Sequence, residues 1–278
     1  MKKKIAVLLT LALTLTSIFA LTGCGNKDSD DKVIKVGATP APHAEVLEII
    51  KDNLEEEGYT LEIVEYNDYI LPNKAVTEGE LDANYFQHIS YLNNYNEENG
   101  TDLVSAGVIH YEPFALYAGK TSSIADLKSG AQIAVPNDGT NEGRALKLLE
   151  AQGLIKLNKD AGFLATKVDI VENPLNLEIV EMEAAQLPRV LADVDMAVIN
   201  GNYAVAAKLK PGKDSLYMEP INKKAKPYVN IIAVQEKDKD NPVYKKVVKA
   251  YQTEETKKAI QKTYKGAQKA AWDIYGTK

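Results

Sequence analysis

From Val33 onward the chain alternates short apolar runs with amphipathic ones, and that alternation restricts its fold more than any other feature. Residues 33–38 read as a strand. Across residues 42–57 Leu47, Ile50 and Leu54 fall on one helical stripe that Gly58 closes. Leu61, Ile63 and Glu65 continue as a strand, a short helix follows Asn73, and residues 81–86 form a third strand. A polar helix over 90–98, stopped by Gly100, leads into a strand over 103–109. A second series begins near Ser123. It has strands at 132–135, 168–171, 177–180 and 194–199, and helical stretches at 140–152 and 184–191. A strand over 228–234 precedes two final helices, the first with Val243, Val247, Val248 and Tyr251 on one face, the second starting near Thr253. Such alternation predicts an α/β fold with mixed, mostly parallel sheets flanked by helices. Two sheets joined twice suggest a hinged pair of lobes, with crossings expected at 111–119 and 219–227. The second of these is rich in lysine and proline, as a surface connection would be.

The N-terminus has a different character. Lys2, Lys3 and Lys4 precede an apolar run over residues 5–21, shorter than the roughly 20 residues that a spanning helix needs. The run ends in Leu21-Thr22-Gly23-Cys24, the pattern of a bacterial lipobox, so residues 1–23 are expected to be a lipoprotein signal peptide and Cys24 the lipidated residue. Cys24 is the single cysteine of the 278 residues, which rules out an internal disulfide. Residues 24–32, polar and charged, read as a tether. Beyond residue 23 the chain holds 30 basic and 39 acidic residues, a net of −9. That balance argues against nucleic acid as a partner and against attraction to anionic lipid, leaving membrane attachment to the acyl chains. The expected location is the extracytoplasmic face of the cell membrane.

Enzyme signatures are scarce. G-x-S-x-G, the P-loop, H-E-x-x-H and C-x-x-C are all missing, and His43, His88 and His110 are scattered along the chain, so neither a catalytic centre, a metal cage nor a cofactor is expected. Two clusters stand out instead. The first is Asn67-Asp68-Tyr69-Ile70-Leu71-Pro72-Asn73 followed by Asn84-Tyr85-Phe86-Gln87-His88-Ile89-Ser90-Tyr91; both segments come just after strand ends, where open α/β sheets place ligand crevices. The second runs from Val135 to Arg144, where a strand enters a Pro/Asn/Asp/Gly turn and then a helix expected to be capped by Thr140. Arginine is used only at Arg144 and Arg189, against 31 lysines, which marks Arg144 as a candidate fork for a carboxylate. An aromatic pocket in one lobe and a carboxylate grip in the other describe an amino-acid site. Asn200, Asn202 and Asn230 could supply amide groups, and each could equally be a turn residue.

The runs NDYILPN, ANYFQHISYL, VPNDGTNEGRALKLLE, VENP, LPR, INGNYA and PYVN, in that order, closely resemble the NlpA/MetQ family of methionine-binding lipoproteins. The resemblance covers the chain from Val33 to its end. It implies a two-lobe, type II-like periplasmic-binding-protein fold, with residues 33–115 and 226–278 in lobe 1 and 116–225 in lobe 2. It also implies a monomer that presents methionine to an ABC permease and its ATPase. Carried over by motif, Tyr69, Phe86, His88 and Tyr91 would wall the thioether side chain. Asn141 and Arg144 would grip the carboxylate, and Asn202 and Asn230, with Asn200 less firmly, would complete the contacts. Sulfur against aromatic rings contributes roughly 0.3–1.5 kcal/mol per contact, which suits that division. Other readings from the same residues are a binding protein for a methionine-containing peptide or another apolar amino acid, a secreted enzyme using His88 with Asp68, and a surface adhesin or scaffold.

Overall fold

The computed structural model describes residues 32–221, 223–264 and 268–276. Cys24, the apolar run before it and nearly all of the tether lie outside these described residues. Ile34–Lys278 form one compact unit. In chain order its elements are β1 (Val33–Ala38), α1 (Glu45–Glu56), β2 (Thr60–Glu65), α2 (Leu71–Glu78), β3 (Ala83–Tyr85), α3 (Ile89–Asn99), β4 (Val104–Tyr111), β5 (Ala115–Ala118), β6 (Gln132–Pro136), α4 (Gly139–Ala151), β7 (Lys156–Leu157), β8 (Ile170–Glu172), β9 (Glu178–Met182), β10 (Met196–Ile199), α5 (Gly201–Ala206), β11 (Ser215–Met218), β12 (Val229–Val234), α6 (Pro242–Tyr251), α7 (Glu254–Tyr264) and β13 (Lys269–Ala270). Single helical turns fill several of the connections.

Each sheet has its own core. The six-stranded sheet runs β13-β4-β12-β3-β1-β2 and the five-stranded one β11-β5-β10-β6-β9, while β7 and β8 form a small separate ribbon. In the first, α1 turns Val46, Leu47, Ile50 and Leu54 inward onto Ile34, Val36 and Ile232, and the left-handed backbone at Gly58 (φ +83°) ends the helix region. In the second, Leu146 and Leu149 of α4 pack on Ile133, Val135 and Val198. The central strand β12 is buried at every position, which explains a sequence that is apolar except at Asn230.

Both sheets are mixed, with more antiparallel pairing than the mostly parallel arrangement expected from the alternation. β1–β3, β10–β6 and β6–β9 are parallel. β12–β3, β12–β4, β13–β4, β10–β5 and β11–β5 are antiparallel. The reason is the double crossing. β4 leaves the first sheet for β5 and β12 returns to it after β11, so outgoing and returning strands lie side by side in each sheet and run oppositely. One result is a shared edge: the ends of β1, β3, β4, β6 and β10 and the beginning of β12 supply the residues of one cleft, as open α/β sheets do. Among the described residues no helix is long and apolar enough to cross a membrane.

Candidate functional site

At that edge the two sheets enclose a small cavity lined by Tyr69, Phe86, Gln87, His88, Tyr91, Glu112, Asn141, Arg144, Asn200, Gly201, Asn202 and Asn230. All nine candidate residues, Asn200 included, therefore line one space, although they come from loops and elements as far apart as the segment before α2 and strand β12. About 20 Å³ is open to the centres of water-sized molecules, room for about one water. A larger and more open depression of about 500 Å³ shares Arg144 but is walled mainly by Leu148, Phe163, Tyr217, Pro220 and Tyr228. Its charged groups are Lys147 and the Arg144–Glu219 pair, whose members are bonded to each other, so the enclosed cavity with its converging amides is the candidate site.

Its aromatic wall is built by the first cluster. Asp68 accepts the backbone N–H groups of Ile70 and Leu71, each at 2.8 Å, and fixes the turn that carries Tyr69. Tyr69 lies 5.7 Å from Phe86 and 5.9 Å from Tyr91 between ring centroids, and Phe86 and Tyr91 meet edge to face at 5.8 Å. Tyr91 Oη donates to Tyr69 O at 3.0 Å, and Tyr69 Oη donates across the cleft to Asn202 Oδ1 at 2.5 Å. His88 caps α3, its Nδ1 accepting from Tyr91 N at 3.1 Å. Its Nε2–H therefore donates to Asn141 Oδ1 at 3.2 Å. Burial, then the nearby Arg144 charge, lowers the His88 pKa to about 3, so the ring is neutral.

The second cluster differs from expectation in two ways. The cap of α4 is Asp138, not Thr140: the carboxylate accepts Asn141 N at 3.0 Å, while Thr140 Oγ1 only donates to the same group. An ionised acceptor is the stronger partner for the free N–H groups of a first turn. Asn141 Nδ2 also donates to Asp138, at 2.8 and 3.0 Å, which commits its amide. The Arg144 fork does meet a carboxylate, but one from the protein. Its Nε and Nη2 face Glu219, with Nη2–Oε2 at 2.5 Å, and Nη2 also donates to Glu112 O at 2.9 Å. Glu219 further accepts from Tyr111 Oη at 2.5 Å and Phe114 N at 3.2 Å. The guanidinium stacks 4.2 Å from the Tyr228 centroid. Burial would raise the Glu219 carboxyl, yet Arg144 holds it below the ordinary range. Nη1 has no hydrogen bond among the described residues. Arg144 thus ties together both segments in which the chain crosses between sheets.

Three buried residues near this cavity escaped the sequence reading: His43, Glu112 and Gln268. The histidines scattered along the chain are not all separate in space, for His43 and His110 have centroids 5.2 Å apart. Tyr85 Oη and His110 Nδ1 lie 2.5 Å apart, and His110 Nε2 is 2.8 Å from Glu112 Oε1, which also accepts Gln268 Nε2 at 3.0 Å. His43 sits between Thr39 Oγ1 at 2.7 Å and Asn230 Oδ1 at 3.0 Å. Burial lowers His43 to a pKa of about 4. The ligating atoms of His43, His110 and Glu112 lie within 4.8 Å of one another. Every ring nitrogen in that group is already hydrogen-bonded, and the arrangement reads as a directional polar network. Burial alone would raise Glu112, but His43, the His110 N–H and Gln268 bring it below its ordinary value. The available signal was local: Glu112 is the lone acid in the run His110-Tyr111-Glu112-Pro113-Phe114.

Residues 34–272 match the family described as NlpA lipoprotein. Over 261 residues the chain is 45% identical to the D-methionine-binding lipoprotein MetQ of Salmonella typhimurium, covering 93% of this chain and 95% of that one. A nutrient binding protein from Burkholderia cenocepacia, solved bound to methionine, is 49% identical with a TM-score of 0.82, covering 86% of this chain and 99% of its own. The substrate binding protein of a methionine transporter from Streptococcus pneumoniae is 39% identical, also with a TM-score of 0.82, covering 87% and 96%.

Proposed function

The chain belongs to the NlpA lipoprotein family, and on that premise we propose that it is the methionine-binding component of an ABC importer, held by lipid at Cys24 on the outer face of the cell membrane. The observation that carries this reading is the composition of the enclosed cavity: three mutually packed aromatic rings on one side and a guanidinium nitrogen on the other. Tyr69, Phe86 and Tyr91, with His88 beside them, receive the thioether side chain. Arg144 Nη1 and the amides of Asn202 and Asn230 receive the carboxylate, and Asn141 acts by orienting His88 and Asn200. L-methionine is the first ligand to test and D-methionine the second, since relatives carry D-methionine in their names.

The space for about one water means that a ligand enters only when the two sides part. Closure around it would then bring both lobes into contact with the bound molecule, with the crossing segments absorbing the change. The test is calorimetry on protein unfolded and refolded to strip carried ligand. L-methionine should bind clearly tighter than leucine. Phe86→Ala should weaken methionine by about 1–3 kcal/mol and shrink its margin over leucine. Equal affinity of the wild type for both ligands would defeat the thioether assignment.

A further inference from the structure

The larger depression beside the second crossing plays no part in the amino-acid site, yet its volume of about 500 Å³ lies within the roughly 300–1,000 Å³ of small-molecule pockets. Three rings from separate parts of the chain line it: Phe163 from the loop between β7 and β8, Tyr217 from β11 and Tyr228 just before β12. Backbone packing puts Phe163 there. A Cβ on Gly143 of α4 would come within 2.3 Å of Phe163 O and 3.0 Å of Ala165 N, so the glycine lets that loop lie against the helix. One turn further along α4, Lys147 Nζ sits 4.4 Å from the Phe163 centroid. Phe163 also meets Tyr228 edge to face at 6.3 Å, but the ring remains 52% exposed. A large apolar side chain so held, with half its surface facing a concave space, leaves room for a partner.

Charge singles out Lys147 in this space. Arg144 and Glu219 are matched to each other. Lys147 has no carboxylate at ion-pair distance among the described residues; Glu150, three residues on, accepts Leu157 N at 2.8 Å. Partial burial pushes the Lys147 pKa down, so the ammonium is short of both water and a counter-ion. An adjoining hollow shares Lys147 and adds Lys156 and Lys159, of which Lys156 is already paired with Glu172. The corner therefore lacks an anion, and the three rings offer flat apolar surface beside it. We infer that the depression is a second ligand site, separate from the enclosed cavity, which takes a small aromatic anion. The ring body of that ligand lies among Phe163, Tyr217 and Tyr228, and its carboxylate meets Lys147 Nζ. The inference stands apart from what the enclosed cavity binds.

The probe is 2-naphthoate, with 2-naphthamide as its uncharged match, titrated by calorimetry near neutral pH with and without excess L-methionine. On the wild type 2-naphthoate should bind with a Kd below about 1 mM, and the amide about tenfold more weakly. Lys147→Met should weaken 2-naphthoate about tenfold, to the level of the amide, while changing the amide by less than about threefold. Phe163→Ser should weaken both probes about tenfold. Excess methionine should leave 2-naphthoate bound, which separates this site from the aromatic wall and arginine of the enclosed cavity. The wild-type comparison of acid with amide, and the competition with methionine, stand even if a variant does not fold. A Kd for 2-naphthoate above about 1 mM, equal binding of acid and amide, full affinity in Lys147→Met, or displacement by methionine would overturn the inference.

Discussion

Replacing Arg144 with alanine should destabilise the protein even with no ligand added, because the guanidinium is the only cation facing the buried Glu219 carboxylate among the described residues. Glu219 is 19% exposed, and its oxygens receive Nε at 3.1 and 3.3 Å and Nη2 at 2.5 Å. Tyr111 Oη and Phe114 N would remain, but two neutral donors do not balance an ionised carboxylate that is largely removed from water. Breaking a buried pair from one side costs about 3–5 kcal/mol. The stacking of the guanidinium on Tyr228, worth about 1–2 kcal/mol, is counted within that cost. Urea unfolding of stripped protein should accordingly show a loss of about 3–5 kcal/mol for Arg144→Ala, and melting about 10 °C lower. Removing both charges, with Arg144→Met and Glu219→Gln together, should recover at least half of that loss, since neither group is left unpaired. The urea slope must be unchanged for the comparison to hold. A loss under about 1 kcal/mol for the single variant, or a double variant as unstable as the single, would refute the reasoning.

Two other outcomes follow. His43 and His88 have native pKa values of about 4 and 3 against 6.5 unfolded, so between these limits the unfolded chain binds more protons and stability falls as pH falls. From pH 6.5 to 4.5 each should contribute a loss of roughly 2 kcal/mol; His43→Gln should flatten that slope in urea titrations, and an unchanged slope would count against a neutral His43. Cys24→Ala should abolish incorporation of labelled fatty acid and release the exported protein or leave it on an uncleaved signal peptide; equal labelling of the two proteins would exclude Cys24 as the anchor.

What the sequence made legible was local. Tyr69, Phe86, His88 and Tyr91 lie in polar turns directly after strands, and Asn141 and Arg144 follow a strand into a helix start, so position along the chain announced them. The contacts that complete the site join residues far apart: His43 to Asn230, Arg144 to Glu219, Gln268 to Glu112. No short-range pattern distinguishes such a glutamate or glutamine from an ordinary one. The strands β5 and β11 escaped for a related reason. Each is four residues long, with β5 inside the segment 111–119 expected as a crossing, and so short a run shows no period of its own before the sheet pairs it. The stretch expected as a strand over 168–171 begins as a helical turn at Lys167–Asp169 and becomes strand at Ile170. Its valines are exposed, and no buried face fixes a period there.

Strand β13 pairs Lys269 and Ala270 with Tyr111 and His110, and Gln268 beside it reaches Glu112. Because a ribosome makes the chain from its N-terminus, Gln268 emerges 156 residues after the Glu112 that it supports. The cavity wall around Glu112 is therefore incomplete until that later stretch is made, and a chain stopped before Gln268 lacks part of the scaffold beneath the candidate site. A copy stopped before that point would carry the aromatic wall of the cavity without the support beneath Glu112.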